Sequence, residues 1–217
     1  MRSNWADAGS CFASWATMLD PQVSLALAEQ VAEAAKRLGL DTALIGAGAL
    51  AVHRYTRGTE DLDLAVNVDP YTRLPALQQS LAADGLQTEM RLPDNDDPLG
   101  GVLVVWLTTA DDGAPADVVE VVNFNNPGRM GPTPAPMAIA RAQPLPGSPL
   151  RCVTIEDLVA LKLYAGGLSD HADVVELLAR NPDVDLDAVR SAAAPFDRDA
   201  RLEVLMEQAK ARRRSLR

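Results

Sequence analysis

The chain has 217 residues and a formal net charge of −10, enough length for one substantial core or for one core with a helical appendage. An apolar share of 47% against 23% charged residues is ordinary for a globular domain and excludes wholesale disorder and fibrous repeats. No apolar run approaches the roughly 20 residues of a membrane span, and the acidic balance argues against a generally basic nucleic-acid surface.

The first stretch carries Trp5, Phe12, Trp15 and Met18 but no basic start followed by an unbroken apolar segment. It does not read as a signal peptide, and a cytoplasmic location is expected. Cys11 and Cys152 stand in no metal-ligand spacing and are expected to be free thiols. After Asp20-Pro21, the residues Val23, Leu27, Val31, Ala34, Ala35 and Leu38 recur at helical spacing until Gly39 stops the helix. A strand over Thr42–Ile45, a helix through Ala49–His53, and a strand over Asp61–Val68 come next. Asp69-Pro70 opens another helix through Leu74, Leu77 and Leu81. Arg91–Pro98 reads as an acidic surface loop or a lid.

Two β-branched runs, Gly101–Thr109 and Asp117–Phe124, flank the turn residues 110–113 and predict an antiparallel hairpin. Prolines and glycines dominate 125–149, with one short strand expected at Met137–Ala142. Four helices follow: Ile155–Ala165, Ser169–Arg180, Asp185–Ala194 and Asp197 to about Arg213. The expected class is α+β, a mixed sheet flanked by helices and followed by a C-terminal helical bundle, with a core over 1–149 and a helical region over 150–217. The basic end, Lys210–Arg217, reads as a solvated tail or as a local nucleic-acid patch.

Leu44–Val66 concentrates the chemistry. Positions two apart in a strand share a face, so Asp61 and Asp63 project together while Leu62 and Leu64 point inward. Two carboxylates about 7 Å apart can share a divalent cation; a solvated edge strand gives the same alternation. Gly46 and Gly48, between a strand and a helix, let backbone N–H groups approach phosphate oxygens, or simply allow close helix-on-strand packing.

Farther on, Thr154 caps a helix with Asp157 three residues later. Lys162 then falls in the middle of the apolar stripe of Ile155, Leu158 and Val159. Its ammonium either snorkels to solvent or points into a cleft. Asp170 and Asp173 share a stripe with Val174 and Leu177, although acids in a first turn also complement the helix dipole. His53 and His171 lack partners for a triad or zinc site and are assigned packing or supporting roles. Trp5, Trp15 and Trp106 read as core or interface residues.

Gly46, Ala49-Leu50, His53, Arg57, Thr59, Asp61 and Asp63 resemble, in order and without gaps, the signature of the polymerase-β-like nucleotidyltransferase superfamily, in particular its AbiEii/MenT-type toxin and small bacterial nucleotidyltransferase-like group. Ala47 stands where that group has a second Gly or a Ser. Glu156-Asp157-Leu158 through Lys162, with Asp170 and Asp173 beyond, resembles the group's second motif, with Ser169 in place of its usual basic residue. The resemblance spans about Thr42–Leu178.

It implies a Mg²⁺- or Mn²⁺-dependent transfer of NMP from an NTP to an acceptor hydroxyl, with a third carboxylate from a later strand antiparallel to the first. Asp117 is the candidate for that acid and for assisting deprotonation of the acceptor; Glu120 is the alternative, and closure of the hairpin is the other role open to Asp117. Asp61, Asp63 and Asp117 would hold the metal, and Lys162 and Arg57 would neutralise the pyrophosphate. Gly46 and Ala47 would cradle phosphates, with Asp170 and Asp173 on the nucleotide side. The implied partners are an NTP, a tRNA or small-molecule acceptor, and a cognate antitoxin. A catalytically silent binding or antitoxin-type protein of the same fold is the alternative. Catalysis requires the three carboxylates to converge, with Lys162 facing them.

Overall fold

The computed structural model describes residues 21–94, 98–109 and 113–216. Cys11, Trp5, Trp15 and the 110–112 portion of the expected turn lie outside them. β2 (Asp61–Val66) occupies the middle of the main sheet. On one side it pairs antiparallel with β1 (Ala43–Leu44), and on the other it pairs parallel with β7 (Val118–Asn123). Outward from β7 come β4 (Val102–Trp106) and the edge strand β3 (Gln87–Arg91), both joined by antiparallel pairing. Outward from β1 come β9 (Arg151–Cys152), which is parallel to it, and β8 (Gln143–Pro144). A small ribbon of β5 (Thr108–Thr109) and β6 (Pro115–Ala116) extends the β4–β7 hairpin. The sheet is thus mixed and sits in an α+β fold, and it continues through Cys152, past residue 149.

Alternation along the strands gives the sheet two unlike faces. Leu62, Leu64, Leu103, Val105, Val119 and Val121 form a buried face, and full burial of each such side chain contributes about 2 kcal/mol. Helix α1 (Pro21–Arg37) packs on β2 and β7, and α3 (Arg73–Ala83) packs on β3 through an element that buries Leu74, Leu77 and Leu81. The other face carries Asp61, Asp63, Val104, Trp106, Val118 and Glu120, all only partly covered.

Helix α2 (Gly46–Val52) starts directly after β1 and lies close to the buried face. A Cβ on Gly48 would come within 2.8 Å of Leu44 Cδ1 and 3.1 Å of Leu62 Cδ2, so this glycine serves helix-on-strand packing. His53 closes the helix end. Its Nε2 lies 2.7 Å from Val153 O, and Asn181 Nδ2 donates to His53 O at 2.7 Å, which ties α2 to the strand and helix that follow.

Two local expectations change, and one strand appears where none was expected. Met137–Ala142 is not a strand; α4 (Ala135–Arg141) forms there, because Pro134 and Pro136 fit a first helical turn and Ala135, Ala138 and Ile139 bury one face. Gln87–Arg91 is a strand although its composition is polar, since an edge strand with an exposed face needs few apolar residues. The second change concerns β7, which is parallel rather than antiparallel to the strand carrying Asp61 and Asp63.

The remaining helices are α5 (Ile155–Ala165), α6 (Leu168–Arg180), α7 (Leu186–Ala193) and α8 (Leu202–Ser215). Thr154 caps α5 as its sequence predicts, its Oγ1 accepting from Asp157 N at 3.4 Å. The Asp157 carboxylate in turn receives the Arg141 guanidinium, joining α4 to α5. The basic end is helical through Ser215 and partly anchored: Arg212 Nε donates to Glu176 Oε1 at 2.5 Å, and Arg213 Nη2 to Leu178 O at 3.0 Å. No helix among the described residues is long and apolar enough to cross a membrane.

Candidate active site

Parallel pairing sets Asp61 beside Val118 and Asp63 beside Glu120. Register partners on adjacent strands share a face, so three acids emerge together. Carboxylate oxygens of Asp61, Asp63 and Glu120 all lie within 4.8 Å of one another. Thr59 Oγ1 braces the first of them, 2.9 Å from Asp61 Oδ1 and 3.0 Å from Asp61 O. Glu120 Oε1 accepts from Arg91 Nη2 at 2.6 Å.

Asp117 is not part of this cluster. It precedes β7 with a positive φ of 52°, outside the pleated alternation, and its Oδ1 accepts from the buried Ser24 Oγ of α1 at 3.2 Å. Asp and Asn tolerate this left-handed backbone better than most residues. The acid supplied to the cluster by β7 is therefore Glu120, which alternates with buried Val119 and Val121 just as Asp63 alternates with Leu62 and Leu64.

Gly46 meets the cluster from the α2 side. Its φ is +57°, and a Cβ added there would stand 1.9 Å from Asp63 Oδ2. Only glycine permits both the backbone conformation and the close approach. Ile45 N donates to Asp63 O at 3.0 Å and holds the two segments together. Ala47 is buried and borders a largely apolar hollow of about 530 Å³ that also touches Leu44, Gly48, Arg57, Thr59 and Leu62. The position therefore offers a ligand only its backbone.

Lys162 is nearly enclosed at 9% exposure and does not snorkel. Its Nζ lies 2.8 Å from Asp170 Oδ1 and 2.8 Å from Asp173 Oδ2. Burial alone would lower the ammonium's pKa, but hydrogen bonds and charge from Asp170 and Asp173 together outweigh it and leave the pKa raised. Asp173 also receives Arg57, with Nε 3.2 Å from Oδ1. Asp170 Oδ2 accepts from Gly167 N at 3.1 Å, closing the first turn of α6. The two aspartates expected on a nucleotide thus act here as a frame for two cations.

That frame faces the acids. Burial, reinforced by the negative charges of Asp61 and Glu120, pushes Asp63 up from 3.8 to about 7, while Lys162 and Arg57 pull it back down. A partly covered acid crowded by two others is a site short of positive charge. Hard oxygen donors at this spacing suit Mg²⁺ or Mn²⁺.

Cys152 is a free thiol, buried, with its pKa pushed up to about 12 by burial, so it is inert at neutral pH. Its Sγ is 3.8 Å from His53 Nε2. Neither side chain belongs to the acid cluster.

No protein-family model matches the chain, and no curated protein matches it in sequence. Solved structures do match. The chain shares its fold with an antigenic nucleotidyltransferase-like protein from Paracoccidioides brasiliensis, at a TM-score of 0.51 and 17% identity, over 87% of this chain and 94% of that one. ANT(2'')-Ia in complex with adenylyl-2''-tobramycin aligns at a TM-score of 0.47 and 16% identity, over 79% of this chain and 95% of that one. The likeness is one of fold, of the nucleotidyltransferase-like kind.

Proposed function

We propose that the protein transfers a nucleotidyl group from an NTP to an acceptor hydroxyl at the site built on β2 and β7. The observation that carries this proposal is the convergence of Asp61, Asp63 and Glu120 within 4.8 Å, beside a glycine that only this packing requires. The three carboxylates would hold one or two Mg²⁺ or Mn²⁺ ions. Bound there, such ions supply Lewis-acid stabilisation of phosphoryl oxygens and lower the pKa of an attacking hydroxyl.

The chain's own groups do the rest. Gly46 leaves room for a phosphate beside the acids and offers its backbone N–H, as does Ala47. Lys162 and Arg57 supply positive charge opposite Asp63, where negative charge develops on the leaving pyrophosphate. Asp170 and Asp173 hold those two cations in place; they are positioning residues. Asp117 takes no part in this scheme.

A second proposal, a catalytically silent partner of antitoxin type, draws on one observation: Lys162 is already engaged by two aspartates at 2.8 Å. A toxin acting on tRNA and an enzyme modifying a small molecule are the acceptor classes proposed. One experiment sorts these. Wild-type and Asp63→Ala proteins are incubated with each α-labelled NTP, Mg²⁺ or Mn²⁺, and separate tRNA, protein and small-molecule pools. Label transfer by the wild type alone is expected. Transfer that persists in the variant sinks the metal assignment, and transfer by neither protein to any pool favours the silent partner.

A further inference from the structure

Among the described residues, Glu120 is the one acid of the cluster with an ion pair to a basic side chain: Arg91 Nη2 stands 2.6 Å from its Oε1. Arg91 is the last residue of the edge strand β3, and β4 lies between β3 and β7. Its side chain therefore crosses a whole strand, over the Val102–Val104 face, to reach Glu120. The Arg91 side chain is 57% exposed and that of Glu120 24% exposed. An ion pair this open is weak, screened by salt and easily exchanged.

The other two cations near the acids are held on a buried partner, although the Arg57 side chain is itself 36% exposed. Lys162 and Arg57 are both fastened to Asp173, whose side chain is 3% exposed. They also stand toward Asp63 on β2, whereas Arg91 stands toward Glu120 on β7. Positive charge thus flanks the cluster from both strands, and only on the β7 side is it held by a single solvent-exposed contact. A guanidinium is always charged and matches a phosphate with paired N–H donors.

We propose that Arg91 is a substrate-binding residue that alternates between two anions. It pairs with Glu120 while the acids carry no cation. When a metal ion takes Glu120, the freed guanidinium pairs with the triphosphate arriving on the same sheet face. The inference rests on the nucleotidyl-transfer proposal above and adds a third phosphate-directed cation to it.

The test uses the full chain as wild type, Arg91→Ala and Arg91→Lys, with two probes. Mn²⁺ binding is measured alone by electron paramagnetic resonance. Binding of inorganic tripolyphosphate is then measured by calorimetry at saturating Mn²⁺; this probe carries the phosphate chemistry of any NTP without its base. Arg91→Ala is expected to bind Mn²⁺ two- to five-fold more tightly, at roughly the strength of one exposed ion pair. It is expected to bind tripolyphosphate about ten-fold more weakly, with Arg91→Lys between it and the wild type.

Opposite shifts are the signature, because a tie that serves only Glu120 would move Mn²⁺ binding but leave tripolyphosphate binding at saturating Mn²⁺ unchanged. If the wild type binds Mn²⁺ and either affinity is unchanged in Arg91→Ala, Arg91 has no such role while the metal site stands. If the wild type binds no Mn²⁺, the metal assignment and this inference fall together. Unfolding midpoints of the three proteins in urea confirm that the substitutions leave the fold intact.

Discussion

Asp63 and Glu120 are direct partners across two parallel strands, so one acid pair of the site is fixed by strand register. Neither residue reaches the other through a loop. Together with Asp61 they concentrate negative charge at a half-buried point, and the protein's response to pH and to cations follows from that crowding.

Without metal, Asp63 is an acid whose pKa is raised on folding, from 3.8 to about 7. Between those values the folded chain keeps a proton that the unfolded chain has lost, so stability falls as pH rises from about 4 to about 7 and then levels off. The contribution is on the order of 4 kcal/mol at most. Urea unfolding across this range should show the decline in wild type and a flattened profile in Asp63→Asn. Mn²⁺ should remove most of the decline, and its binding near pH 6.5 should release a proton detectable by calorimetry in buffers of different ionisation enthalpy.

The choice of third carboxylate separates two single substitutions. Glu120→Gln should weaken Mn²⁺ binding by about ten-fold or more, as expected when a direct ligand loses its charge. Asp117→Asn should leave Mn²⁺ affinity within about two-fold, since Asn accepts a left-handed backbone and can still take the Ser24 hydroxyl. Equal losses in the two variants would restore Asp117 to the metal site.

Gly46→Ala is predicted to act on the site more than on the fold. The new methyl group would occupy the space of Asp63 Oδ2, and the left-handed φ adds about 1 kcal/mol of backbone cost. Mn²⁺ binding should be lost while the protein remains folded, with a moderately lower midpoint in urea. Gly48→Ala should do the reverse, because its methyl group would press on Leu44 and Leu62 in the core, lowering stability with a smaller effect on metal affinity.

Lys162→Met would leave Asp170 and Asp173 without their ammonium partner, and Asp173 is deeply buried. A loss of about 3 kcal/mol in urea unfolding is expected. Adding Asp173→Leu should recover part of that loss, because the buried carboxylate is then gone and the partly exposed Arg57, its other partner, can be solvated. A double-mutant cycle yields the coupling between the two residues directly.

Much of this architecture was legible from periodicity. The helices at Pro21, Arg73 and Ile155, the β4–β7 hairpin and the shared face of Asp61 and Asp63 all follow from spacing, caps and turns. Lys162 announced itself by standing on an apolar stripe. What escaped was partnership between distant strands. Asp117 looked like the head of a strand, yet the backbone turns left-handed there and leaves the pleat. Glu120 carried a usable signal, since the valines on either side of it repeat the pattern of the leucines around Asp63. Matching those two patterns requires knowing that the strands are neighbours and run in the same direction. Arg91 gave no signal, because its partner lies two strands away.

The β2–β7 pairing has one more consequence. The separation of Asp63 and Glu120 follows from the inter-strand hydrogen-bond spacing of about 4.8 Å, a constant of the polypeptide that mutation cannot readily alter. The described residues next to β3 and β7, 92–94 and 113–117, are free to vary in sequence without changing that spacing. Variation at the rim of the molecule therefore leaves the spacing of the three acids unchanged.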